Sequence, residues 1–175
     1  MKLYTARSGR ANKQTAIENG VGLMMVDHWT DHTAYPFYAI DNGCYSAYAR
    51  GIRWDPAPFL HNLHKAQELA EVTGIKPQFA VLPDIVAGGE ASLEKSRRWH
   101  YMLAAEYPAI PFYIAVQDGI EPDTAPLPVG IAGIFVGGTK TWKLRTMSAW
   151  AEYAHRHGIG IHALIIDLRP SIECA

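Results

Sequence analysis

The sequence predicts an α/β fold: a parallel sheet with helices covering its faces. Three observations carry that expectation. Short apolar runs alternate with amphipathic helical patterns along the chain. The apolar runs are continuous, as in strands covered on both sides, and do not alternate with polar residues. Four runs stop at polar groups or paired glycines: 38–43 at Asp41 and Asn42, 81–86 at Asp84, 112–119 at Gln117 and Asp118, and 133–139 at Gly137 and Gly138. Ligands of α/β proteins sit where parallel strands end. The segments that build the core therefore also point at one pocket.

The elements follow in order. Leu3 to Ala6 is a weak first strand, and Gly20 closes a helix from about Ala11 to Asn19. Gly22 to Val26 is the second strand, and Pro36 to Ile40 leads into the third. Pro58 to Thr73 is helical, with Phe59, Leu63, Ala66 and Ala70 at 3–4 spacing and Gly74 as its stop. Gln78 to Leu82 is the fourth strand. Ser92 caps the next helix, whose stripe is Leu93, Ser96, His100, Leu103 and Tyr107, and which ends before Pro108. Phe112 to Val116 and Ile134 to Val136 are the fifth and sixth strands. A helix from about Leu144 carries Met147, Trp150 and Ala154 and stops at Gly158. Ile159 to Ile166 is the seventh strand.

Seven strands suit a (β/α) barrel, yet such barrels typically need about 250 residues, and this chain has 175. Either the sheet is open and doubly wound, or the barrel lacks its last unit. No linker or repeat divides residues 1–175, which form one domain.

Composition narrows the function classes. Hydrophobic residues at 49% and charged residues at 19% are ordinary for a soluble globular protein. A net charge of −1 gives no global basic field for nucleic acid. The clusters Lys95/Arg97/Arg98 and Lys140/Lys143/Arg145 read as solvated helix faces. Two distant cysteines, Cys44 and Cys174, make neither a disulfide scaffold nor a thiolate zinc site, and cytoplasmic residence is the simplest inference. There is no signal-peptide pattern and no run of about 18 apolar residues, so no membrane partner is expected.

The strand-end groups suit a guanine-type edge. Carboxylates accept from its N1 and N2 donors, while amides or backbone N–H groups donate to O6. Asp41, Asp84, Gln117 and the Gly137-Gly138 amides offer that set. Arg7-Ser8-Gly9-Arg10 opens a helix and is a candidate phosphate contact through Arg7 and Ser8. Asp27-His28-Trp29-Thr30-Asp31-His32 follows a strand and reads as a polar loop, not a metal site. His61 and His64 lie one turn apart on a helix without making a metal pair, and His155 and His157 suit the end of a helix. Trp99 and Trp150 read as packing residues, while Trp142 is open to either packing or base stacking.

From about Tyr38 to His162 the chain resembles the tRNA-guanine transglycosylase superfamily. It is most similar to the phage-type, queuine tRNA-ribosyltransferase-like branch related to DNA 7-deazaguanine transglycosylases. Ile40-Asp41-Asn42-Gly43-Cys44-Tyr45 resembles the family's Asp-Ser-Gly-Gly-Phe-type segment at the catalytic centre, and Pro83-Asp84-Ile85-Val86 the segment with the base-reading aspartate. Ala115-Val116-Gln117-Asp118-Gly119 is similar to the glutamine strand, and Val136-Gly137-Gly138-Thr139 with Trp142-Lys143 to the glycine strand.

The resemblance implies a TIM-type (β/α) barrel, here of about seven units with the last one missing. It implies exchange of guanine for a 7-deazaguanine in tRNA or DNA through a covalent sugar–aspartate intermediate, with no cofactor. Asp41 would be the acid–base residue, and Asn42, Gly43, Asp84, Gln117, Gly137, Gly138, Thr139, Trp142 and Lys143 would line the substrate. The family's nucleophile lies on an eighth strand. Asp167 is the only local candidate substitute, the other reading being a surface aspartate opening the tail, in a chain expected to be truncated or frame-shifted and without the family's zinc site. Two other readings stand beside this one: a non-catalytic guanine- or 7-deazaguanine-binding or assembly module, and a barrel hydrolase acting on a nucleoside or sugar. Open sheet edges would be covered by a partner chain or by self-association.

Overall fold

The computed structural model describes residues 2–6, 10–30, 32–125 and 127–163, with residues 10–12 described by backbone alone. Seven strands form one sheet: β1 (Tyr4–Thr5), β2 (Gly22–Met25), β3 (Tyr38–Ile40), β4 (Ala80–Val81), β5 (Phe112–Val116), β6 (Gly133–Val136) and β7 (Gly160–Ala163). Every neighbouring pair is parallel, and the spatial order is the sequence order. A doubly wound sheet reverses its strand order at a switch point. The monotonic order excludes that alternative. Right-handed crossovers that never reverse place all the helices on one side, so the sheet must curl and fill its other side with side chains.

The curl is large enough to form a half-barrel. Six strand spacings of about 4.8 Å would separate the edges of a flat seven-stranded sheet by roughly 29 Å. Yet the rings of Tyr4 on β1 and His162 on β7 meet edge to face with centroids 5.0 Å apart. Alternation along each strand sorts the core into two clusters. Leu23, Met25, Tyr38, Ile40, Ile114, Val116, Ile134 and Val136 face the helices. Ala39, Phe79, Val81, Ala115 and Phe135 face inward with Tyr4, Met24 and Tyr113. Inward-facing glycines make room for the large rings. A Cβ on Gly133 or Gly160 would run into Tyr113, and one on Gly22 into Phe37.

Five helices lie outside: α1 (Arg10–Glu18), α2 (Cys44–Ala49), α3 (Ala57–Thr73), α4 (Gly89–Glu106) and α5 (Lys140–Arg156). Three differ from the sequence expectation. α2 has no counterpart in that expectation. Two Asx turns lead into it, in which the Asp41 and Asn42 side chains accept from the Gly43 and Cys44 amides at 2.7 and 2.8 Å, while Gly43 itself is the N-cap without a side-chain bond. α4 begins three residues before Ser92, which is therefore no cap but a fully buried side chain in the first turns. α5 begins at Lys140, not Leu144, because the Thr139 hydroxyl accepts from the Trp142 amide and caps it. α3 stops as expected at Gly74, whose φ of 75° is left-handed.

The β5–β6 connection has no helix among its described residues. Ile120, Ala125, Leu127 and Ile131 cover the sheet there instead. No helix of the described residues is long and apolar enough to cross a membrane. Arg7, Ser8 and Asp167 lie outside the described residues.

Candidate functional site

Parallel pairing of β2, β3 and β4 brings three carboxylates to one end of the sheet, because Asp27, Asp41 and Asp84 each follow the last residues of their strands. Asp41 accepts from the Gly43 amide at 2.7 Å. Burial, with smaller contributions from the charges of Asp84 and Asp27, raises the Asp41 carboxyl to about 6 against the opposing pull of the Gly43 amide. Asp84 is also pushed up by burial, opposed by Asn42, Cys44 and Lys95. The Cys44 thiol is pushed up to about 12 by burial and by Asp84, so it serves as a neutral neighbour, not a thiolate nucleophile.

Asn42 ties the site together. Its Nδ2 donates to the Leu82 carbonyl at 2.8 Å and to Asp84 Oδ1 at 3.1 Å. Its Oδ1 accepts from the Cys44 amide, and its carbonyl accepts from Trp54 Nε1 at 2.8 Å. Lys95 Nζ donates to the Asp84 carbonyl at 2.8 Å and lies over the Trp54 ring, 4.7 Å from its centroid. Gly43 has φ 73°, and a Cβ there would sit 3.6 Å from Asp27 Oδ1. That is ordinary contact, so the left-handed φ, not space, favours glycine at this turn between strand and helix. A cavity of about 260 Å³ opens beside Asp27, lined also by Met24, Met25, His28, Thr30 and Ser46 but not by Asp41 or Asp84. A larger one, about 490 Å³, lies between Pro122–Ala125 and the end of α5 and touches none of the strand-end residues.

The other expected site residues are engaged within the protein. Gln117 is buried, its Nε2 donates to the Ile85 carbonyl at 2.7 Å and to Ser92 Oγ at 2.6 Å, and its Oε1 accepts from the Ala87 amide at 2.7 Å. The amide expected to read a base instead pins the β4–α4 loop, where Ala87 has a φ of 56°. The Gly137 amide donates to the Val116 carbonyl in the sheet, so it is not available to O6 of a base. Gly138 (φ 78°) lets the backbone pass Asp118, whose Oδ2 would lie 2.5 Å from an added Cβ. Asp118 accepts from the Thr139 amide at 2.7 Å and from its hydroxyl at 2.6 Å. Trp142 is buried in the core between helix and sheet and offers no open face for stacking. Lys143 is 5% exposed, and burial lowers its pKa while Asp118 opposes the shift.

The structure therefore joins Asp41 and Asp84 through Asn42 and Gly43, uses Gln117 to hold the loop after Asp84, and engages Gly137, Gly138, Thr139 and Trp142 around Val116, Asp118 and the start of α5. Sequence reasoning missed Asp27, which reads there only as part of a polar loop, and Lys95, which reads as part of a solvated face. Among the described residues no group of three His, Cys, Asp or Glu could hold a metal ion. His61 and His64 are both exposed, and His64 pairs with Glu68 at 3.2 Å. Comparison with protein-family models, with curated proteins and with solved structures gives no match to this chain.

Proposed function

We propose that this chain is a guanine transglycosylase-like protein, a TIM-type (β/α) barrel of about seven units acting on a guanine-type base in tRNA or DNA. One observation carries the reading. Asp41 and Asp84 stand at the ends of adjacent parallel strands, joined through Asn42, with the Asp41 carboxyl raised to about 6. A carboxyl raised toward neutral pH exchanges protons efficiently.

In this reading Asp84 accepts from the N–H donors of the base edge. An aspartate oxygen bonds to the anomeric carbon as the bond from that carbon to guanine breaks, and Asp41 gives the leaving base its proton. The incoming 7-deazaguanine then attacks the same carbon, releases the aspartate and returns a proton to Asp41. Asp167 is the local candidate for that nucleophile.

The test is incorporation of labelled guanine into tRNA and into DNA. Label enters one of the polymers, and Asp41→Asn reduces the rate at least about a hundredfold, as for loss of an acid–base group. No incorporation by a chain that still binds the free base would make it a non-catalytic base-binding module. The additional carboxylate Asp27 beside a cavity of only about 260 Å³ favours a second reading, a hydrolase of a nucleoside or sugar. That reading predicts release of free base without exchange.

A further inference from the structure

The outer face of α2 has no role in the base site described above. Cys44 and Ala47 bury one side of this short helix, and Ser46 lines the cavity beside Asp27. Tyr45 and Tyr48, three residues apart and so on one face, point to solvent at 65% and 61% exposure. Their ring centroids are 6.5 Å apart. Ile52, at 53% exposure, extends the apolar strip into the following turn.

Two arginines border it. Arg50 and Arg53 are exposed, and neither forms a salt bridge among the described residues. Arg50 Nε donates to the Ser46 carbonyl at 3.0 Å, which holds the guanidinium against the helix end. Asp55, the nearest acid along the chain, is turned to the Ala57 amide at 3.0 Å. Trp54 folds this turn back onto the carbonyl of Asn42, so the strip adjoins the carboxylates.

We infer that this strip is a docking surface for single-stranded nucleic acid. Tyr48, with Tyr45 beside it, stacks nucleotides flanking the target, and Arg50 and Arg53 contact their phosphates. Exposed aromatic rings interleaved with unpaired arginines are the combination that holds a single strand without reading its sequence. The inference rests on the base-exchange reading for its purpose, which is to deliver a flanked nucleotide to Asp41 and Asp84. Its chemistry is tested separately.

The experiment measures a fluorescent single-stranded oligonucleotide by anisotropy across a salt series, and free guanine or 7-deazaguanine by calorimetry, in the same variants. Tyr48→Ala weakens oligonucleotide binding about tenfold. The Arg50→Ala/Arg53→Ala double variant makes the slope of log affinity against log salt shallower by about 0.7 for each arginine. Both variants keep the wild-type melting temperature and free-base affinity. Unchanged oligonucleotide affinity and slope in both variants would overturn the surface and leave the base site standing. Loss of self-association in Tyr48→Ala with unchanged oligonucleotide affinity would make it a protein interface instead. Oligonucleotide binding through this strip without any free-base binding would keep the surface and overturn the base-exchange reading.

Discussion

Replacing Asp41 by Asn should stabilise the protein, and by an amount that depends on pH. The Asn side-chain oxygen can still accept from the Gly43 amide, so α2 keeps its start. What changes is the charge. Native Asp41 is raised from 3.8 to about 6 by burial and by Asp84 and Asp27. It therefore holds a proton more tightly than the unfolded chain does, and the wild type loses stability as pH rises from about 4 through 6. A rise of that size corresponds to about 2–3 kcal/mol at pH 8, where the native carboxylate is charged. For a chain of this size that is about 5–10 °C in melting temperature. The assay is thermal melting of both proteins from pH 4 to pH 8. The gap should be small at pH 4, open between about pH 4 and 6, and be nearly complete by pH 7. An equal gap at pH 4 and pH 8, or a variant less stable at pH 8, would refute the reasoning. A charged group kept at such a cost is the usual trade of stability for activity at a functional site.

Three further outcomes concern the scaffold. Gln117→Ala removes three hydrogen bonds from the β4–α4 loop and should cost about 2–4 kcal/mol in denaturant unfolding; an unchanged midpoint would show that the loop stands without it. Ala87→Gly relieves the φ of 56° and should leave stability unchanged or raise it by up to about 1 kcal/mol, whereas clear destabilisation would mean that the Ala87 methyl contributes packing. Gly160→Ala drives a methyl into Tyr113 inside the half-barrel and should cost about 1–3 kcal/mol. Because the nearest atom is the Tyr113 hydroxyl, adding Tyr113→Phe should restore part of the loss, and no restoration would contradict the assigned contact.

The strands and the helix stops are legible in the sequence because each is a local signal. The continuous apolar runs of β5 and β6 and the glycines 74 and 158 carry their meaning within a few residues. Strand order is not local. The choice between a doubly wound and a curled sheet rests on pairing between segments tens of residues apart, ending in the meeting of Tyr4 with His162. The site divides the same way. A carboxylate that ends an apolar strand, as Asp41 and Asp84 do, carries a charge that burial disfavours, and both come to the cluster with raised pKa values. An amide at a strand end needs only hydrogen bonds. Gln117 finds its partners at Ile85, Ala87 and Ser92, and Asn42 finds Leu82 and Asp84, far away in sequence. α2 does carry a local signal: Asp41-Asn42-Gly43 forms Asx turns into the helix as well as offering reactive groups, and the second meaning obscures the first.

The most direct test of the central claim is calorimetric titration of guanine and of a 7-deazaguanine into the wild type and Asp84→Ala. The account predicts binding of at least one base by the wild type, with no detectable heat for Asp84→Ala while the variant remains folded. Equal affinity in the two proteins, or no binding of either base by the wild type, would contradict it.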